Sequence, residues 1–311
     1  MTLVEGWMYH TPAATGLPWD TAPAMDTLYK FGYVPPDNSA VLNQTDKITA
    51  ERINQVGNYD TLIHMGNNPN GNTSGNFGMI NGLPLYWMLG KVATSGDGVA
   101  ITYLDGTKRK PRIATRQEID AKNFHSYGMA ASRLSMTYAD NKLMANMSWM
   151  GCEKELSVTS PAAPTYPSDV ATMYDVLTDM SWNTNQLRPT VVATELSQSL
   201  SPSMGEGGYY TEISEFSPIQ AMSGFQIIAK EGEDAGMTED YNAKTERTLT
   251  WTIAKSSDNT KRIVCTGDGY LIDRNISKGY GLQTIYSYNV WFSSLSFNVI
   301  DGLTRSTFYG L

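Results

Sequence analysis

The stretch LSMTYADNKLMANMSW, residues 134–149, is two alternating runs separated by a turn. Leu134, Met136 and Tyr138 alternate with Ser135 and Thr137; Leu143, Ala145, Met147 and Trp149 occupy every second position of the next run. Successive side chains on a strand point to opposite faces, so this period of two describes strands with one buried face. Ala139-Asp140-Asn141 supplies a tight turn between them. The pair reads as an antiparallel hairpin lying on a core.

The same pattern recurs on both sides of the midpoint. Val99, Ile101 and Tyr103 alternate, as do Leu249, Trp251 and Ile253, and residues 285–300 carry Tyr286, Tyr288, Trp291, Phe292 and Phe297. The expected fold class is mainly β. Helical spacing is confined to two places. Asp169–Met180 sets Val170, Met173, Tyr174, Val176 and Leu177 behind Ser168 as N-cap, and Arg116–Phe124 is a short candidate with a counterpart at Gly269–Ser277.

That counterpart comes from an internal match. Shifted by 153 residues, Asp105, Thr107, Lys108, Arg109, Ile119, Asp120, Tyr127 and Gly128 fall on Asp258, Thr260, Lys261, Arg262, Ile272, Asp273, Tyr280 and Gly281, 8 identities in 24 positions. A looser match at an offset near 149 relates Ser74–Ile80 to Ser223–Ile228. The reading is two similar antiparallel β-sandwich or partial-barrel modules in tandem, each with a short flanking helix. Residues 41–156 form the first, 169–311 the second, and the Pro-rich segment 157–168 the linker. Lys108, Arg109, Tyr127, Gly128, Lys261, Arg262, Tyr280 and Gly281 are the positions that define the repeat, and each Lys-Arg pair re-enters a strand after a turn.

Residues 1–40 carry five prolines and lack periodicity, which describes an extended arm. Trp7 and Trp19 on such an arm need a surface to dock on, either a neighbour's or the chain's own. Met65–Asn76, rich in Asn and Gly, reads as a loop, and Glu231–Asp240 as an acidic solvated loop.

Chemistry is harder to find. His10, His64 and His125 have no partners at metal-ligand spacing, and Cys152 and Cys265 form no framework. No nucleophile elbow or phosphate-binding glycine loop occurs. No enzyme, catalytic residue, cofactor or metal is therefore expected. The net charge of −8 opposes a grip on nucleic acid, which needs clustered Lys and Arg. Neither a signal peptide nor an apolar run long enough to span a membrane is read in the sequence.

The segment Gly75–Lys91 (GNFGMINGLPLYWMLGK), Tyr127-Gly128 leading into a strand pair, and the closing Ser296–Asp301 (SFNVID) resemble the major tail tube proteins of tailed bacteriophages and related archaeal viruses. The resemblance covers roughly residues 40–305 and implies a β-sandwich or partial barrel with a flanking helix. In that family the inner sheets of neighbours join into rings, and stacked rings conduct DNA without binding it specifically. With two modules per chain, it implies a homotrimer of pseudo-sixfold symmetry; a hexamer of single tube modules, each bearing an extra β domain, is the other arrangement it allows. It implies a virion tail location after synthesis in the host cytoplasm, no membrane insertion, and self, tape-measure, tail-terminator and tail-tip proteins as partners. Asn67, Asn68, Asn70, Asn72 and Ser74 are the expected contact with the adjacent ring. The alternative is a β-sandwich tail-tip protein that binds a receptor or glycan.

Overall fold

A computed structural model describes residues 6–9, 32–33, 43–54, 61–103, 111, 113–119, 122–150, 153–157, 173–204, 210–215, 218–230, 234, 236–278 and 283–311. In chain order these form β1 (Gly6–Tyr9), β2 (Gly32–Tyr33), β3 (Asn43–Asn54), β4 (Thr61–Met79), α1 (Leu83–Leu89), β5 (Gly90–Ser95), β6 (Gly98–Tyr103), β7 (Ile113–Ile119), β8 (Lys122–Ala139), β9 (Lys142–Met150) and β10 (Glu153–Ser157). The second half adds β11 (Val176–Trp182), β12 (Asn185–Gln186), β13 (Pro189–Ser197), β14 (Leu200–Met204), β15 (Tyr210–Glu215), β16 (Gln220–Lys230), α2 (Met237–Ala243), β17 (Arg247–Lys255), β18 (Asp258–Lys278), β19 (Gln283–Ile300) and α3 (Arg305–Phe308). The fold is mainly antiparallel β, as the alternating patterns indicate.

Two layers emerge from the strand pairings. The first runs β3–β4–β9–β8–β13–β16–β19–β18, with every neighbour antiparallel. The second runs β12–β11–β17–β18–β19–β6–β5. Strands β18 and β19, at 21 and 18 residues, are long enough to serve both. They bend between the layers where their register shifts, at Asp268/Gly269 and Leu271/Asp273.

Glycine is needed at that bend. A Cβ on Gly269 would lie 2.5 Å from the Trp291 carbonyl oxygen, and one on Gly267 would lie 2.6 Å from that of Ser294. Gly269→Val should therefore cost about 3 kcal/mol, because backbone is what must move aside. Chemical denaturation of the variant checks this, and an unchanged midpoint would show that the corner relaxes freely.

One apolar cluster fills the space between the layers. Leu134, Met136, Met147, Trp149, Phe225, Tyr288 and Val290 come from the first layer, and Val99, Ile101, Leu249, Trp251, Ile253 and Phe297 from the second. Helix α1 packs on β8 of one layer and on β5 and β6 of the other, and all seven of its residues are buried. Gly90 in the left-handed region ends it, with φ of 85°. At one margin the chain crosses between layers: the Tyr174 N–H donates to Met79 O at 3.1 Å, its carbonyl accepts from Leu143 N at 2.9 Å, and the Asp175 N–H donates to Ala254 O at 3.0 Å.

The expected tandem arrangement is changed in form. The halves share this core and do not build a sandwich each. The 24-residue match also folds differently in its two copies. Around Ile119 the chain turns, pairing Ile119 with Lys122, whereas Ile272 sits within the continuous β18. What recurs is topology. In the first layer β3, β4, β8 and β9 take the spatial order first, second, fourth, third, and β13, β16, β18 and β19 take that order again. A helix follows the second strand of each set, α1 after β4 and α2 after β16.

Both helical expectations fail where residues are described. Residues 176–180 belong to β11, because the ladder to β17 fixes an extended backbone, and Met180 and Trp182 point inward at every second position. Arg116–Phe124 is the β7–β8 hairpin, and Gly269–Ser277 lies in β18. The Asp140-Asn141 turn is as expected, with φ of 50° and 57° closing β8 onto β9.

Candidate assembly surface

Following paired residues across the first layer gives one row: Asn76, Asn146, Ser135, Glu195, Met222, Trp291 and Tyr270. Each sits opposite the next, so all share one face, and none is buried. The residues beside them in sequence turn inward, among them Phe77, Ala145, Leu134, Leu196 and Val290. The outward face is almost without net charge. Within the row Glu195 alone is ionisable as a carboxylate, and Arg133 Nη2 meets it at 2.8 Å. At one end of the row the face becomes apolar: Trp291 is 51% exposed, Met222 40% and Tyr270 41%.

Both lateral edges of this layer are open among the described residues. Strand β3 has a ladder to β4 and none on its other side. Strand β18 is covered by β17 as far as Gly269, and from Tyr270 to Lys278 pairs with β19 alone. That open stretch holds Ile272 and Ile276, 43% and 46% exposed. Unpaired N–H and C=O groups beside apolar side chains make an edge that pairs readily with another strand.

Besides the β7–β8 hairpin, two hairpins leave the layer at the same end. Ser197 is level with Arg133, Ser148 and Ser74 through successive pairings. Beyond that level, among the described residues, Lys47–Asn54 pairs with Thr61–Asn68 alone, and β14 with β15 alone. Each hairpin lies between the first and second strand of its set. The Asn/Gly-rich segment 65–76 is therefore strand and not loop. Asn67, Asn68, Asn70, Asn72 and Ser74 all fall in β4, with Asn67 paired to Ile48 and Asn72 to both Thr45 and Met150.

The other singled-out positions are more scattered. Trp7 lies in β1 and pairs with Arg116 of the same chain. Tyr127 is in β8, paired with Glu153, and Gly128 is in the same strand. Lys261 lies 3.8 Å from Asp258, and Arg262 pairs with Ile300. Trp19, Lys108, Arg109, Tyr280, Gly281 and most of the linker 157–168 lie outside the described residues.

A buried polar cluster fixes the layer to the chain end. Asp301 accepts from Gly82 N at 3.0 Å, Leu303 N at 3.0 Å and the Tyr309 hydroxyl at 2.5 Å. Lys255, 1% exposed, donates to Ile80 O at 2.7 Å and lies 4.9 Å from the Tyr174 ring centre. Burial lowers its ammonium to about 8, against the pull of Asp301. Burial first, then the Asp301 charge, push the Tyr309 hydroxyl well above its usual value. A second cluster lies under α2. Asp234 accepts from Thr238 N and the Tyr288 hydroxyl, both at 2.9 Å, and from the Thr238 hydroxyl. Burial would raise that carboxyl, but these bonds outweigh it and hold it below its usual value. The acidic stretch Glu231–Asp240 is thus partly structural, with Asp240 accepting from Trp182 Nε1 at 2.9 Å.

Lys255 makes stability depend on pH. Between about 8 and its ordinary 10.5 the unfolded chain holds a proton that the folded chain lacks. The cost of burying the ammonium is then present in full below pH 8 and fades as pH rises towards 10, a change of roughly a few kcal/mol at most. Thermal melts should show wild type gaining stability from pH 8 to 9.5 relative to Lys255→Met. Parallel curves would refute a buried charge.

No group of three or more His, Cys, Asp or Glu that could hold a metal occurs among the described residues, and no helix there is long and apolar enough to cross a membrane. No protein-family model and no curated protein matches the chain. Among solved structures the chain is similar to the SPP1 tail tube, at 10% identity and a TM-score of 0.24, over 58% of this chain and 84% of that one. An overlap so slight decides neither fold nor function.

Proposed function

We propose that this protein is the structural subunit of a viral tail tube, assembling laterally into rings that stack around a channel for DNA. One observation carries the reading: an eight-stranded antiparallel layer, built from two four-strand sets of the same spatial order, with an edge at each end that is open among the described residues. Such a layer completes its hydrogen bonding by joining copies of itself, and a repeated heterologous contact closes into a ring when the rotation allows. The recurring topology supports a duplicated module, so that a trimer has pseudo-sixfold symmetry. Three copies give about 24 strands and a backbone radius on the order of 24 Å at a barrel-like tilt. That leaves room for a double helix.

The outward face fits a conduit. Phosphates are held by clustered Lys and Arg, and here the central cation, Arg133, is already paired with Glu195. Amides and hydroxyls such as Asn76, Asn146 and Ser135 let the polymer pass without specific binding. No catalysis is called for. The partners are copies of the chain, with tape-measure, tail-terminator and tail-tip proteins at the ends of the tube, in a virion tail assembled in the host cytoplasm. The half-exposed Trp291 beside Tyr270 favours one rival, an aromatic platform for a receptor glycan. Negative-stain microscopy of purified protein separates them: rings or tubes with a threefold or sixfold end view support the conduit, and discrete particles that bind glycans support the rival.

A further inference from the structure

Inside one chain, the two four-strand sets meet through β8 and β13, which pair antiparallel from Arg133–Tyr138 to Val192–Ser197. Strand β8 is spatially last in the first set and β13 spatially first in the second. The corresponding last strand of the second set is β18, and the corresponding first strand of the first set is β3. Among the described residues those two carry the open edges. Resting on the tube reading, we infer that the Tyr270–Lys278 edge of β18 pairs with the outer edge of β3 in the neighbouring copy, repeating between chains the contact that β8 and β13 make within one.

Direction and position both agree. Eight alternating strands leave β3 and β18 antiparallel, so the joint continues the pattern without a break in sense. Seen from the paired row, the β8–β9 set ends nearer to it than the β18–β19 set: Ala139 is four residues beyond Ser135, and Lys278 eight beyond Tyr270. On β4 the strand end Met79 is three residues past Asn76, and on β16 Lys230 is eight past Met222. This drift of about four to five residues per four strands corresponds to a strand tilt of about 35–40°, the tilt of closed barrels. Carried over eight strands, the same drift brings the first half of β3, Asn43–Ala50, level with the β18 edge. The apolar side chains of Ile272 and Ile276 then lose their exposure to the neighbour.

Cysteine pairing tests the joint. Full-length protein carrying Ile276→Cys, mixed with full-length protein carrying Ile48→Cys or Gln44→Cys and oxidised after assembly, should give covalent dimers of the two chain types, with neither variant cross-linking alone. Ile276→Pro, which removes an edge donor, should abolish rings while the circular dichroism of the monomer stays native. Normal rings from Ile276→Pro with no cross-link in either mixture would overturn this joint and leave the tube reading standing. Should Ile276→Pro fail to fold, the cross-links decide by themselves. Wild-type protein that never forms rings would remove both readings.

Discussion

Asp301→Ala is expected to lower unfolding stability by at least about 4 kcal/mol. The carboxylate accepts from two backbone N–H groups and one hydroxyl, all buried, and Gly82, Leu303 and Tyr309 would keep their donors with nothing to receive them. Each buried donor left unmade costs about 1–3 kcal/mol. Lys255 would also lose the nearest charge that favours its ammonium. The loss should be local as well as global, because Asp301 joins the turn before α1 to the end of the chain. Urea denaturation followed by tryptophan fluorescence measures the first effect, and limited proteolysis near residue 301 the second. Asp301→Asn, which keeps an acceptor, should fall between. A midpoint unchanged in the alanine variant would mean that water replaces the carboxylate at no cost.

The second large effect concerns assembly. Replacing Glu51–His64 with an Asn-Gly turn should leave rings that no longer stack. Of these, Glu51–Asn54 and Thr61–His64 are the far part of the β3–β4 ribbon, where among the described residues the strands pair with each other alone, so their removal spares the eight-stranded layer. Excision of residues 66–75 would be a poorer test, because Asn72–Gly75 also pair with β9 and the layer itself would be cut. Microscopy should show single rings in place of tubes, with the melting temperature within a few degrees of wild type. Tubes of ordinary length would shift the stacking role to β14–β15 or elsewhere.

How much was legible in the chain depends on what each element had to bury. Leu143, Ala145, Met147 and Trp149 alternate because β9 has a core on one side only, and all four are buried as the pattern implies. Helix α1 escaped notice for the opposite reason. It is enclosed on every side, so Leu83–Leu89 is apolar throughout and shows no period. Val176 and Leu177 looked helical in spacing, yet the open edge of β17 took them as a strand, a tertiary demand that local propensity does not reveal. Residues 65–76 looked like a loop because Asn and Gly favour turns, yet they lie in β4, whose backbone pairs with β3 and, from Asn72 on, with β9. The proposed assembly surface was the least visible. Trp291, Tyr270 and Met222 come together only through pairings between distant strands, and no linear motif marks an edge that has lost its neighbour.

The bent pair β18–β19 has a mechanical consequence. Since both strands run without interruption from one layer into the other, neither layer can be peeled off while its partner stays intact. A sideways load on the wall would be resisted in shear, by many rungs of the same ladder at once, and not rung by rung as in a zipper. Toughness of that kind would suit the proposed conduit, whose bore has to hold while a stiff polymer is driven through it.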